Sequence, residues 1–267
     1  MIEFSVCIET AFTEDGGDFP ERVRAAAASG FKAVEIWDWW TKPLPELRHA
    51  LRDTGTTLHT LCVEDWRDKC RLGDAAAREQ FVERVQRSAA TALELGTPNL
   101  VVLPGDRLDA VDEQIQHDRL VEALDAAATA IAGSGLTLLL EVVNREFEGP
   151  SALVQDSRTA IDLLRRLGRP DVRFLYDRYH AILNAEPLGW AVAANMDMVG
   201  HVQAADVPGR HEFGTGTVDW ANELKWLGDA GYRGFVGIEA IPLRSSRQLL
   251  AQARLLVAKP RWADGQA

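Results

Sequence analysis

Glu141, Asp177, Gln203 and Glu239 are the residues of this chain whose types and spacing best suit chemistry. Each ends or directly follows a short apolar run, and successive members lie roughly 25 to 35 residues apart, about one strand-plus-helix unit. If those runs are parallel strands of a barrel, their carboxyl ends open onto one face, where such folds build their sites. Three carboxylates and an amide there form a hard-oxygen donor set suited to a divalent cation. One acidic residue at a strand end says little, because it serves equally well as the cap of the next helix. Four in consecutive units say more.

These donors need a scaffold, and the sequence alternates as one requires. Strand-like runs occupy 2–8, 32–37, 57–63, 99–103, 136–142, 172–177, 200–205 and 235–240. Helical patterns lie between them, clearest over Pro20–Ser29, Ala75–Leu95, His117–Ala132, Ala152–Leu167, Val218–Ala230 and Ser246–Ala258. Glycines suited to a left-handed cap follow several, Gly96 and Gly168 among them. Eight apolar strands alternating with helices predict a parallel sheet covered on both faces, and eight is the number that closes a barrel. A doubly wound open sheet is the alternative, but no glycine-rich phosphate loop follows the first strand. The expectation is therefore an α/β fold, a single-domain (β/α)8 TIM barrel over residues 1–258, with a polar tail at 259–267.

Composition narrows the function. A chain that is 46% hydrophobic and 26% charged has the balance of a water-soluble globular protein. No apolar run reaches about 18 residues, so no membrane span is expected, and no basic-then-apolar leader opens the sequence. The formal charge of −11 argues against a nucleic-acid partner, whose affinity comes from clustered Lys and Arg. A single local arginine still suffices for a small anion. Cys7, Cys62 and Cys70 are odd in number and lack metal spacing, which predicts reduced thiols in a cytoplasmic protein.

Four strings carry a family resemblance: EVVN from Glu141, DRYH from Asp177, GHVQAADVPGRHEFGTGTVDW from Gly200, and GIEA from Gly237. The third is long and specific, and the order and spacing of all four fit. Together they resemble the hydroxypyruvate isomerase family, within the wider group of xylose-isomerase-like (AP endonuclease family 2) barrels that also holds ketose 3-epimerases. The resemblance implies a bound Mg2+ or Mn2+, with Co2+ as a further candidate, held by Glu141, Asp177, Gln203 and Glu239. It implies that Glu141 and Glu239 double as the acid–base pair, while His180 and Arg210 hold oxygens of a small sugar or keto-acid substrate. The implied reaction interconverts a small hydroxy-ketone or keto-acid with its aldehyde isomer by proton transfer through an enediolate. A ketose or keto-acid 3-epimerase is the alternative, using the same glutamates to move a proton between the two faces of one carbon. Glutamine rather than histidine at position 203 leans toward the isomerase branch. A non-catalytic sugar-binding barrel would leave the retained donors unexplained, and a DNA-cleaving zinc barrel would need more than the six histidines present.

The chain also departs from the family pattern. Val142 stands for a proline, Ile182 for a glutamine, Phe213 for a proline, and Ala240-Ile241-Pro242 for Tyr-Lys-Pro. These changes imply a less polar pocket around the same donor set.

Other positions admit two readings each. Arg210, between Pro208-Gly209 and Gly214-Thr215-Gly216, sits on a loop above the barrel mouth. Its planar fork suits a substrate carboxylate, and the bland reading is a surface arginine. Trp66, on the exit loop of the third strand, is expected to form pocket wall. His59 lies within that strand, as a substrate contact at the mouth or as core filler, and His201 shares a strand face with Gln203. Glu35 ends the second strand, either joining the pocket or forming a salt bridge, and Asn144 is placed to orient Glu141. Trp37, Trp39 and Trp40 read as a sugar-stacking surface or as packing at a subunit interface, so a homo-oligomer stays open.

Overall fold

Short β-branched and leucine-rich runs form the strands, and each strand hands the chain to a helix. The computed structural model describes residues 2–14, 16–146 and 151–258, so the expected tail at 259–267 lies outside the described residues. The strands are β1 (Glu3–Cys7), β2 (Ala33–Glu35), β3 (Thr57–Cys62), β4 (Asn99–Val102), β5 (Thr137–Glu141), β6 (Val172–Asp177), β7 (Val199–Ala204) and β8 (Phe235–Ile238). They close a parallel barrel in chain order. The helices are α1 (Phe19–Ala28), α2 (Leu44–Thr54), α3 (Arg78–Leu95), α4 (Glu113–Ala130), α5 (Ser157–Leu167), α6 (Arg178–Leu183), α7 (Trp220–Asp229) and α8 (Leu249–Ala258), one after each strand. The expected TIM barrel is the fold that forms.

Helix starts differ from the apolar periodicity, and capping explains most of the difference. α4 begins a turn before His117 because Asp112 accepts the N–H groups of Gln114 and Ile115. α5 begins at Ser157 rather than Ala152, since Asp156 accepts from Thr159 while Ala152 bridges Asp106 in an antiparallel pair. Its other end is closed by Gly168 at φ 67, a conformation glycine adopts without a Cβ penalty.

Contacts within the chain divide it into two compact units. One comprises Ile36–Lys42 and Leu58–His201 and carries β4, β5 and β6. Val101, Leu139 and Leu175 are buried together there, with Cys62 packed against them. Side chains two apart on a strand share a face, so Glu141 follows Leu139 and Asp177 follows Leu175 on the same side. Burying each leucine is worth about 1.5–3 kcal/mol, and a one-residue slip would turn leucine and carboxylate alike to the wrong face. The apolar layer thereby fixes the aim of both acids.

The other unit comprises Met1–Glu35, Pro43–Thr57 and Val202–Ala267. Here β1 pairs with β2 and β8, and β8 pairs with β7. The register sets Gln203, Gly237 and Ser5 side by side in one row, while Glu35 lies opposite Cys7.

Candidate metal centre and active site

In the unit that holds β5 and β6, the two strand-end acids meet a histidine. Asp177 ends β6, and α6 starts at the next residue. Its Oδ1 accepts the N–H of Tyr179 at 2.8 Å and of His180 at 3.4 Å, so it caps the helix. Its Oδ2 lies 3.3 Å from His180 Nε2, and Glu141 Oε1 lies 3.6 Å from the same nitrogen. Asp177 and His180 are buried, and ligand atoms of all three residues fall within 4.8 Å of one another. The oxygen that caps the helix is thus a different one from the oxygen that faces His180 Nε2.

The other face of the imidazole decides what His180 can do. The backbone N–H of Asn144 donates to Nδ1 at 3.2 Å, and Asn144 Nδ2 lies 3.0 Å from the same atom. A ring nitrogen that accepts a hydrogen bond carries no proton, so the neutral ring carries its proton on Nε2. That N–H faces Glu141 and Asp177. The carboxylates are therefore the groups able to hold a metal ion, and His180 is a hydrogen-bond donor beside them. Asn144 thus holds the histidine through its backbone and its side chain.

In the second unit, Gln203 donates from Nε2 to Glu35 Oε2 at 2.9 Å, and Ser5 Oγ donates to Glu35 Oε1 at 2.5 Å. All three residues are buried. The Oε1 atom of Gln203 is buried and has no hydrogen-bond partner among the described residues, as a waiting ligand oxygen would be. Glu239, directly after β8, is gripped by Arg210, whose NH2 donates to Oε1 at 2.6 Å and whose Nε donates to the backbone carbonyl at 3.3 Å. Arg210 itself has φ 57, unusual for a residue with a Cβ, and its carbonyl accepts the N–H of Ile241 at 2.7 Å.

The loop carrying Arg210 is built around a residue that sequence reading passed over. Asp206, fully buried, accepts from the N–H groups of Val207 and Val218 through Oδ1 and of Gly214 and Gly216 through Oδ2. A Cβ on Gly216 would overlap the Val207 carbonyl, so the loop folds back on itself tightly. The signal was present in the long string, where Asp206 precedes the Gly214-Thr215-Gly216 turn, but its partners are only apparent once the loop is folded.

The remaining expected site residues take varied places. His59 is half-buried, its ring centroid 4.8 Å from that of His201, and Asn99 donates to its carbonyl at 3.1 Å. Trp66 is exposed, with the Arg67 guanidinium 4.2 Å from its ring centroid. Trp39 donates to Ser88 Oγ at 3.0 Å and meets Trp40 edge-on, which anchors that loop to α3. Cys7, fully buried, has its thiol held well above the ordinary range by burial and then by the charges of Glu239, Glu35 and Glu9. That makes it an inert neighbour of the acids.

A parallel eight-stranded barrel with acids at its strand ends defines a class: an α/β-barrel enzyme working at the carboxyl-terminal face of its strands. Residues 23–259 match the family described as xylose isomerase-like TIM barrel, and the chain belongs to that family. The hydroxypyruvate isomerase of Escherichia coli K12 is 31% identical over 269 residues, 99% of either chain. A 2-oxo-tetronate isomerase of Cupriavidus necator is 30% identical over 247 residues, covering 91% of this chain and 94% of that one. A crystal structure described as an AP endonuclease, family 2, from Brucella melitensis is similar at TM-score 0.87 and 27% identity, covering 96% of this chain and 99% of that one. The protein is accordingly an enzyme, an isomerase.

Proposed function

We propose that the protein interconverts a small 2-oxo-3-hydroxy acid of the hydroxypyruvate type with its aldehyde isomer, with a divalent cation held by Glu141, Asp177, Gln203 and Glu239. The observation that carries this reading is the N–H of His180 presented to Glu141 and Asp177. The donor chemistry fits a hard cation on two further counts, the carboxylate pair and the Oε1 of Gln203, which has no partner among the described residues. The names of the Escherichia coli and Cupriavidus necator relatives support three- and four-carbon hydroxy keto-acids as the substrate class. The three cysteines, none of them in a disulfide among the described residues, support a cytoplasmic location, and no helix among the described residues is long and apolar enough to cross a membrane.

A divalent cation supplies stabilisation of the negative charge that develops on substrate oxygens. Glu141 and Glu239 carry the proton: one takes it from the hydroxyl-bearing carbon, and that residue or the other returns one to the adjacent carbon. The Nε2 proton of His180, which faces Glu141 and Asp177, would be available to a substrate oxygen once those carboxylates hold the cation. Arg210 holds the Glu239 carboxylate in place, and its planar fork suits the acid group of the substrate.

The test is incubation of purified protein with hydroxypyruvate in D2O, with Mg2+, Mn2+ or Co2+, followed by NMR. The expected result is the aldehyde isomer carrying deuterium at the carbon that was the ketone. Failure to convert any short keto-acid, tetrulose or hexulose with all three ions would refute the reading.

A further inference from the structure

Glu35 is buried at the end of β2 and spends its carboxylate inside the fold. One oxygen accepts from Ser5, the other from Gln203, at 2.5 and 2.9 Å. The register explains how it reaches both. Gln203, Gly237 and Ser5 form one row across β7, β8 and β1, and the central member has no side chain. A Cβ on Gly237 would overlap Glu35 Oε1, so the acid lies across the row in space that only glycine leaves.

We propose that Glu35 is a positioning residue: it fixes the amide of Gln203 so that Nε2 is consumed inside the fold and Oε1 is presented to the cation. The amide could otherwise turn over, because its two ends are nearly the same size. Glu35 accepts from Ser5 through one oxygen and from Gln203 Nε2 through the other, so the end of the amide left over is the oxygen. The leftover oxygen is the atom that is buried and has no partner among the described residues. A turned amide would aim N–H groups at the ion and carry no ligand. Ser5 in turn fixes Glu35 by donating to its other oxygen. Outer contacts of this kind govern the affinity of the ligand they hold. The ligand role of Gln203 rests on the function proposed above, while the role of Glu35 adds to it.

The test is Mn2+ binding to the purified full chain, followed by electron paramagnetic resonance without substrate, for wild type, Glu35→Ala, Glu35→Gln, Gln203→Ala and the Glu35→Ala/Gln203→Ala double variant. Glu35→Ala should weaken binding by about 10–100-fold. Glu35→Gln should restore it to within a few-fold, since its carbonyl can still accept from Gln203 while its NH2 faces the Ser5 hydroxyl. The double variant should bind no more weakly than Gln203→Ala alone, because both changes remove one contribution. Should Glu35→Ala not fold, Glu35→Met fills the space without accepting and takes its place. Unchanged affinity in Glu35→Ala, a Glu35→Gln variant as weak as the alanine, or losses that multiply in the double variant would each overturn the inference alone. A wild type that takes up no Mn2+ would overturn the metal reading and this inference with it.

Discussion

The backbone N–H of Asn144 points at Nδ1 of His180 from 3.2 Å, and this bond decides which nitrogen of the ring meets Glu141 and Asp177. Because the donor is a main-chain amide, it cannot reverse its polarity. The proton of the neutral ring stays on Nε2, and the histidine approaches the acids as a donor.

His180→Ala should therefore leave metal content near wild type and lower turnover by about 10²-fold or more, as loss of a positioned donor does. Metal analysis beside steady-state kinetics checks this. Loss of the ion in this variant would make His180 a ligand.

Glu141→Gln and Glu239→Gln should each reduce kcat by about 10²–10⁴-fold, the range for a lost proton-transfer group. Deuterium exchange into substrate should fall in parallel. If either variant exchanges at the wild-type rate, that glutamate does not carry the proton.

Acting on substrate alone, Arg210 would raise KM at unchanged kcat. Its bond to Glu239 adds a second effect. Arg210→Ala should raise KM and lower kcat together, because the carboxylate loses its holder as well as the substrate its clamp. A pure KM effect would mean that the contact does not orient Glu239 during turnover.

Thiol reactivity should separate the three cysteines. Burial, reinforced by Glu64, pushes the Cys70 thiol up to about 12, so only about one molecule in 10⁴ is thiolate at pH 8. Cys7 is raised by burial as well. Iodoacetamide at pH 8 should modify the partly exposed Cys62 first, as read by peptide mass spectrometry. Early labelling of Cys70 would contradict its burial.

Glu186 supplies a stability test with a definite sign. It is buried and accepts the N–H of Ser157 at 3.0 Å, and burial raises its pKa in the fold. An acid whose folded pKa is raised disfavours the fold while ionised, and the penalty is relieved as pH falls through the folded value toward the unfolded one. Relative to Glu186→Gln, wild type should gain stability between pH 7 and the ordinary carboxylate range near 4.3. Urea melts of both proteins measure it, and a difference that stays flat or moves against wild type would contradict the shift.

The barrel and the strand-end places of Glu141, Asp177, Gln203 and Glu239 were legible in the sequence because both follow from local rules. Alternation with period two sets which side a strand residue faces, and parallel strands joined by helices bring all carboxyl ends to one side. Runs such as LTLLLE and VRFLYD carry leucine and acid on one face, so Glu141 and Asp177 could be picked out from the chain alone. The exact helix starts were less legible, since Asp112 and Asp156 act through side-chain capping bonds that periodicity does not register.

What only the tertiary structure decided is how those donors are held. Glu35 and Gln203 lie 168 residues apart, and no pattern in either neighbourhood names the other. Ser5 and Gly237 become their companions only through the strand register. The same holds for Asn144 and His180, and for Arg210 and Glu239. A strand's periodicity is a property of its own backbone and can be read along the chain. The orientation of an amide, the tautomer of an imidazole and the grip on a carboxylate depend on which distant donors and acceptors the closed barrel brings within hydrogen-bond reach.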